Sequence, residues 1–134
     1  MKLLRELTIM TPNQPGKLSQ ILRGLAAAKV NLQALNSTSG YDLNLVRLIT
    51  SDLTKTKHVL EKLGYRVAEA AVLAVTVLDH PGQLAKMTGA FGKAKINIDY
   101  MYATAAVSGS EALVIIHLSD LPAGEKVLRS IGWL

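Results

Sequence analysis

Two hexapeptides combine residue types that suit recognition of a small charged molecule: Asn13-Gln14-Pro15-Gly16-Lys17-Leu18 and Asp79-His80-Pro81-Gly82-Gln83-Leu84. Each is followed by an amphipathic segment, so each marks the start of a helix. A helix N-terminus presents amide groups without intrahelical partners and a partial positive charge, which suits a carboxylate. Gly16 and Gly82 lack a Cβ, so a ligand can approach the backbone closely there. Further along, Asn31 and Asn97 begin strand-like segments and carry both a donor and an acceptor. The same hexapeptides also read as plain Pro-Gly turns in which Asn13 or Asp79 braces a helix start.

Other chemistries are excluded by what the chain lacks. Its 134 residues include no cysteine, which removes disulfides, thiolate metal sites and a cysteine nucleophile. His58, His80 and His117 are scattered without metal-ligand spacing, so no metal site is expected. No Gly-x-Ser-x-Gly elbow, phosphate loop or paired catalytic carboxylates occur, so no cofactor is implied and an enzyme is not expected.

The net charge is +5, and the excess lies wholly in residues 1–70, where ten Lys or Arg face five Asp or Glu. Most of these cations fall on helix faces, which reads as a solvated surface rather than a nucleic-acid stripe. Gly89-Ala90-Phe91-Gly92 imitates the GXXG of KH domains but falls inside a helix, and the third strands lack the stacking aromatics of RRM domains. Nucleic acid is therefore not an expected partner. No apolar run approaches the roughly 20 residues of a membrane helix, and Arg5 and Glu6 interrupt the N-terminal run as they would not in a signal peptide. A soluble, cytoplasmic protein is expected, with no membrane partner.

The chain is one unit written twice. At an offset of 66, Ala28-Lys29-Val30-Asn31-Leu32 lies over Ala94-Lys95-Ile96-Asn97-Ile98, as the hexapeptides lie over each other. After a two-residue insertion, Leu45-Val46 meets Leu113-Val114, Ser51-Asp52-Leu53 meets Ser119-Asp120-Leu121, and Leu63-Gly64-Tyr65 meets Ile131-Gly132-Trp133. Each copy reads as strand, helix, strand, strand, helix. First strands run over 3–10 and 72–78. Pro15 and Pro81 suit the first helical position. Ile21, Leu22 and Leu25 with Leu18 form one apolar stripe, and Leu84, Met87, Phe91 and Ala94 form the other. Second strands cover 30–36 and 96–102. The hairpin turns at 38–42 and 108–111 have Gly40 and Gly109 available for positive φ. Third strands cover 43–50 and 112–118. Second helices start at the Ser-Asp caps, and Gly64 and Gly132 suit their C-termini. Tyr65 opens a fourth strand in copy one.

The expected fold class is α+β: two tandem ferredoxin-like βαββαβ domains, residues 1–70 and 71–134, with antiparallel sheets and helices on one face. Both faces of the third strands are largely apolar, and a lone unit of this size buries too little surface to be robust. Something must cover the open faces, which predicts a homodimer. Copy two ends where its fourth strand should begin, leaving an edge for residues 65–71 or a partner strand to fill.

The (Asn/Asp)-x-Pro-Gly-x-Leu turn, the (Val/Ile)-Asn-(Leu/Ile) strand and the shared spacing of 16 residues from Pro15 to Asn31 and Pro81 to Asn97 resemble the ACT domain. Asn97-Ile98-Asp99-Tyr100-Met101-Tyr102-Ala103 is similar to small stand-alone tandem-ACT proteins of bacteria and archaea. The resemblance implies a fold that binds an amino acid and reports it to an enzyme. In ACT domains that bind serine-like ligands, a polar residue two before the Pro and the strand Asn meet the ligand across a domain interface. Carried over, the candidate site residues are Asn13, Pro15, Gly16, Lys17, Leu18, Asn31 and Leu32 in copy one. In copy two they are Asp79, Pro81, Gly82, Gln83, Leu84, Asn97 and Ile98. Thr11 is a further candidate, whose counterpart Val77 has no side-chain hydrogen bond to offer. Asp79 would pair with the ligand ammonium where Asn13 accepts only a neutral hydrogen bond, so the two sites should differ in affinity. Tyr100 and Tyr102 read as half-buried strand tyrosines, with pocket lining as the alternative. The expected role is an amino-acid-binding regulatory protein acting on a separate metabolic enzyme. The alternatives are a regulatory subunit resembling the acetolactate synthase small subunit, or a structural dimer without ligand.

Overall fold

A computed structural model describes residues 2–104 and 110–133. The elements are β1 (Lys2–Pro12), α1 (Lys17–Ala27), β2 (Leu32–Gly40), β3 (Leu43–Thr50), α2 (Leu53–Lys62), β4 (Ala68–Leu78), α3 (Gln83–Lys93), β5 (Ile98–Ala103), β6 (Glu111–Leu118) and α4 (Leu121–Ser130). They fall into two compact units, residues 5–70 and residues 71–134 with the N-terminal stretch up to Leu4.

In the first unit β3 pairs antiparallel with β1, Leu7 facing Leu48 and Ile9 facing Val46, and with β2 on its other side. Leu7, Ile9, Val46 and Leu48 alternate onto one face and meet Ile21 and Leu25 of α1 and Leu60 of α2, all buried. The second unit repeats this. Leu73 faces Ile116, Val75 faces Val114, and β5 flanks β6. Met87 and Phe91 of α3 and Leu128 of α4 close the core. Full burial of such side chains contributes about 1.5–3 kcal/mol each. Both units are ferredoxin-like, with antiparallel sheets and helices on one face.

The fourth strands come from an exchange. Residues 68–70 of β4 belong to the first unit, and residues 2–4 of β1 belong to the second. Glu69 accordingly pairs with Arg5 at 3.3 Å in the first unit. The edge of copy two is met by the N-terminal end of β1. Tyr65 does not begin a strand; the strand starts at Ala68 and continues as the first strand of copy two.

Several local expectations change for identifiable reasons. Pro15 and Pro81 precede the helices, because Gly16 (φ 85°) and Gly82 (φ 88°) serve as N-caps in the left-handed region, which no first helical residue occupies. β2 extends to Gly40, paired with Leu43, so the turn is Tyr41-Asp42 and Tyr41 takes the positive φ of 67°. The two hairpin turns that match strand twist, types I′ and II′, both have positive φ at the first central residue. Gly109 lies outside the described residues. Of the Ser-Asp caps only the aspartates cap: Asp52 accepts from the Lys55 amide and Asp120 from the Ala123 amide. Ala94 is exposed at the end of its helix, and Leu84 is 39% exposed rather than part of the stripe.

On the faces away from the helices, Ala34 opposite Ile49 and Ala74 opposite Ile115 are buried. Among the described residues no helix is long and apolar enough to cross a membrane.

Candidate functional site

At the end of β4 the chain turns through Asp79-His80-Pro81-Gly82 into α3. The turn is set by backbone bonds, the His80 amide donating to the Leu78 carbonyl at 2.9 Å and the Gln83 amide to the His80 carbonyl at 3.3 Å. Gly82 provides no side-chain cap, and the first turn of α3 has no acidic residue. A Cβ on Gly82 would meet nothing within 4 Å. The glycine is there for its φ, not for lack of room.

A cavity of about 270 Å³ opens at this turn. Asp79, His80, Gly82, Gln83, Leu84 and Ala85 form its polar rim and helix side, and Val77, Leu78, Ala103, Thr104, Ala112 and Val114 form its floor. Asp79 is exposed, and its carboxylate has no side-chain partner among the described residues. The site therefore offers amide donors, one free negative charge and an aliphatic floor. Pro81 is exposed beside it.

Copy one treats the matching turn differently. The Asn13 side chain donates to the Tyr41 carbonyl at 2.9 Å and the Ser39 hydroxyl at 3.3 Å, and accepts from Asn44 at 3.2 Å. Its backbone amide donates to the Asp42 carbonyl at 2.7 Å, as the Asp79 amide does to the Ser110 carbonyl. Asn13 braces the β2–β3 hairpin. Thr11 is 1% exposed, and its hydroxyl is 2.9 Å from that of Tyr65. Pro15 and Gly16 are exposed, Lys17 is half-buried, and Leu18 packs against the core.

The strand asparagines lie at the opposite end of each unit from the turns. Asn97 precedes Ile98, which pairs with Leu118, whereas the cavity lies by Ala103 and Ala112 at the other end of β5 and β6. The 11 residues of α3 separate the two ends by about 16 Å. Asn31 and Asn97 are exposed, and their backbones are locked to serines: the Asn97 amide donates to Ser119 Oγ at 3.0 Å, the Ser119 amide to the Asn97 carbonyl at 2.9 Å, with the same pattern for Asn31 and Ser51. Leu32 and Ile98 are half-buried against the cores. One unit thus brings Asp79, Gly82, Gln83 and Leu84 together and holds Asn97 apart from them.

Beside Asn97 is a group that strand alternation conceals. The Asn97 side-chain Nδ2 donates to Asp99 Oδ1 at 3.0 Å, and Asp99 Oδ2 is 2.8 Å from His117 Nδ1. The His117 ring stacks on Tyr100, with centroids 5.0 Å apart. Simple alternation would send Asp99 and Tyr100 to opposite faces; a bulge between Ile98 and Tyr100 brings both to His117.

The family model for the ACT domain pair matches residues 2–128. A Bacteroides thetaiotaomicron protein of known structure is 29% identical and superposes with a TM-score of 0.88 over 96% of this chain and 88% of its own. The regulatory subunit of aspartate kinase from Thermus thermophilus, 18% identical, shares the fold with a TM-score of 0.72 over 97% and 93% of the two chains. That from Thermus flavus, 21% identical, gives 0.61 over 97% and 93%. No curated protein matches the chain. With a family model spanning almost its whole length, repeated turns and two ferredoxin-like units, the chain belongs to the ACT family as a tandem ACT domain pair.

Proposed function

We propose that this chain is an amino-acid-binding regulatory protein that works in the cytoplasm as a homodimer and acts on a separate metabolic enzyme. The observation that carries the reading is the cavity at the start of α3, where uncapped helix amides and the free Asp79 carboxylate face an aliphatic floor. An amino acid matches it group for group. The carboxylate meets the amides of the first helical turn, the ammonium pairs with Asp79, and the side chain lies on Val77, Leu78, Ala103 and Ala112.

Asn97 is too far from that turn to reach the same ligand within its unit. In a homodimer, Asn97 of a second copy completes the contact. A ligand that touches both chains favours the arrangement in which both contacts exist, and this converts occupancy into a change of quaternary structure. The chain then signals through assembly rather than chemistry, and is not an enzyme. The regulatory subunits of aspartate kinase share its fold, so an enzyme of amino-acid metabolism is the natural recipient.

Copy one supports a second reading for its own turn. Asn13 is committed to Ser39, Tyr41 and Asn44, which suits a scaffold that mediates assembly without ligand. These contacts favour copy two as the working site. Thermal unfolding with each of the twenty amino acids tests the reading: at 100 times Kd a true site adds about 2.7 kcal/mol. Loss of that gain in Asp79→Ala and Asn97→Ala, with its retention in His58→Ala, supports it. No gain with any amino acid sinks it.

A further inference from the structure

Copy two carries a polar chain through its strand asparagine that copy one lacks. Both copies have the bulge, between Leu32 and Ala34 and between Ile98 and Tyr100. In copy one the bulge presents Gln33 and Ala34, with Ala34 paired to the buried Ile49. In copy two the same positions are Asp99 and Tyr100, and the partner is His117. Among the described residues, the Asn31 side chain makes no contact to match that of Asn97 with Asp99.

The chemistry of the chain fixes its direction. An ionised Asp99 only accepts, so the Asn97 group facing it is Nδ2 and the His117 atom facing it is a protonated Nδ1. Both Asp99 oxygens are then committed, one to Asn97 and one to His117. Tyr100, stacked within 9° of parallel on the His117 ring, keeps the imidazole in place. The Asn97 backbone is pinned to Ser119. Beyond the second hydrogen of Nδ2, the group of Asn97 left for a ligand is the carbonyl oxygen Oδ1, on an exposed residue. Without Asp99 the amide would rotate freely and present its NH₂ as readily as its oxygen.

We propose that Asp99 and His117 are positioning residues that hold Asn97 with Oδ1 outward, as an acceptor selective for the ammonium group of a bound amino acid. The proposal rests on the amino-acid-binding reading above. It makes Asn97 a filter against ligands that have the carboxylate and side chain but no donor on the α-carbon.

The test is titration calorimetry of the full chain, pairing each amino acid that binds with its 2-oxo acid, such as valine with 2-oxoisovalerate. In the wild type the amino acid should bind about tenfold or more tighter than its 2-oxo acid, as for a hydrogen bond to a charged group. Asp99→Ala should weaken the amino acid by a similar factor and leave the 2-oxo acid unchanged, so that the preference collapses. Asp99→Asn should keep most of the preference, because its Oδ1 still accepts from Asn97. His117→Ala should lose part of it. If Asp99→Ala binds both ligands as the wild type does, or weakens both equally, the positioning role is overturned while the amino-acid reading stands. Should no amino acid bind the wild type, both fall together.

Discussion

The Asn13 side chain donates to the Tyr41 carbonyl across 2.9 Å, tying the turn before α1 to the tip of the β2–β3 hairpin. Tyr41 is the hairpin residue in the left-handed region, a conformation that costs a non-glycine residue about 1–2 kcal/mol. Asn13 therefore secures a turn that its own sequence disfavours. In Asn13→Ala, urea unfolding should show a loss of about 1 kcal/mol, while stabilisation by amino acids stays as in the wild type. Loss of that stabilisation would mean that the copy-one turn binds ligand after all.

Asp79→Ala should behave in the opposite way. Its carboxylate has no side-chain partner among the described residues, so the melting temperature of the free protein should hardly move. The gain with amino acids should vanish. A large drop in stability of the free protein would show Asp79 to be a brace like Asn13.

Thr11, buried, and Tyr65, half-buried, form a polar pair in the first unit. Thr11→Val strands the Tyr65 hydroxyl and should cost about 1–3 kcal/mol. Adding Tyr65→Phe should restore much of the loss, since removing both partners leaves nothing unsatisfied. The chain contains a precedent: copy two has Val77 and Trp133 at these positions, and Trp133 packs against its core. Chemical denaturation of the two single variants and the double variant measures the coupling.

Two glycines close together in sequence should respond with opposite signs. Gly82→Ala keeps a φ of 88° and should lose about 1–2 kcal/mol. Gly89 lies within α3, and a Cβ there meets nothing within 4 Å, so Gly89→Ala should gain about 1 kcal/mol. Thermal melts of the two variants give the comparison directly.

The Arg5 guanidinium and then the Lys57 ammonium hold the Glu69 carboxyl below its ordinary value of 4.5. A depressed carboxylate contributes stability that is fully present above 4.5 and is lost as pH falls through the lowered value. The stability difference between wild type and Glu69→Gln should thus be constant near neutrality and fade in acid. It should also shrink in high salt, because the pair is exposed. A difference that grows on acidification would contradict this.

The duplication and the fold were legible because they rest on periodicity, which burial enforces. Val46 and Leu48 with Leu7 and Ile9, or Met87 with Phe91, recur at strand and helix spacing and fill the cores. The site was legible only as far as local chemistry goes. The turn before α3 could be read from Pro81-Gly82, but that Asn13 is consumed by a hairpin 28 residues away depends on tertiary approach. The Asp99–His117 contact was hidden for a sharper reason. A bulge adds one residue to a strand, and that one residue moves a side chain from one face to the other. In the sequence His117 is one of three scattered histidines, with no spacing that points to Asp99.

The exchanged ends of β1 and β4 bear on how this protein can be handled. Trimming the first four residues, or crowding them with a fusion tag, would bare backbone amides more than sixty positions away. Cutting the chain between the repeats would leave two fragments that each want a ribbon now attached to the other. What began as a gene copied twice has become an object that cannot be parted at the seam of the copy.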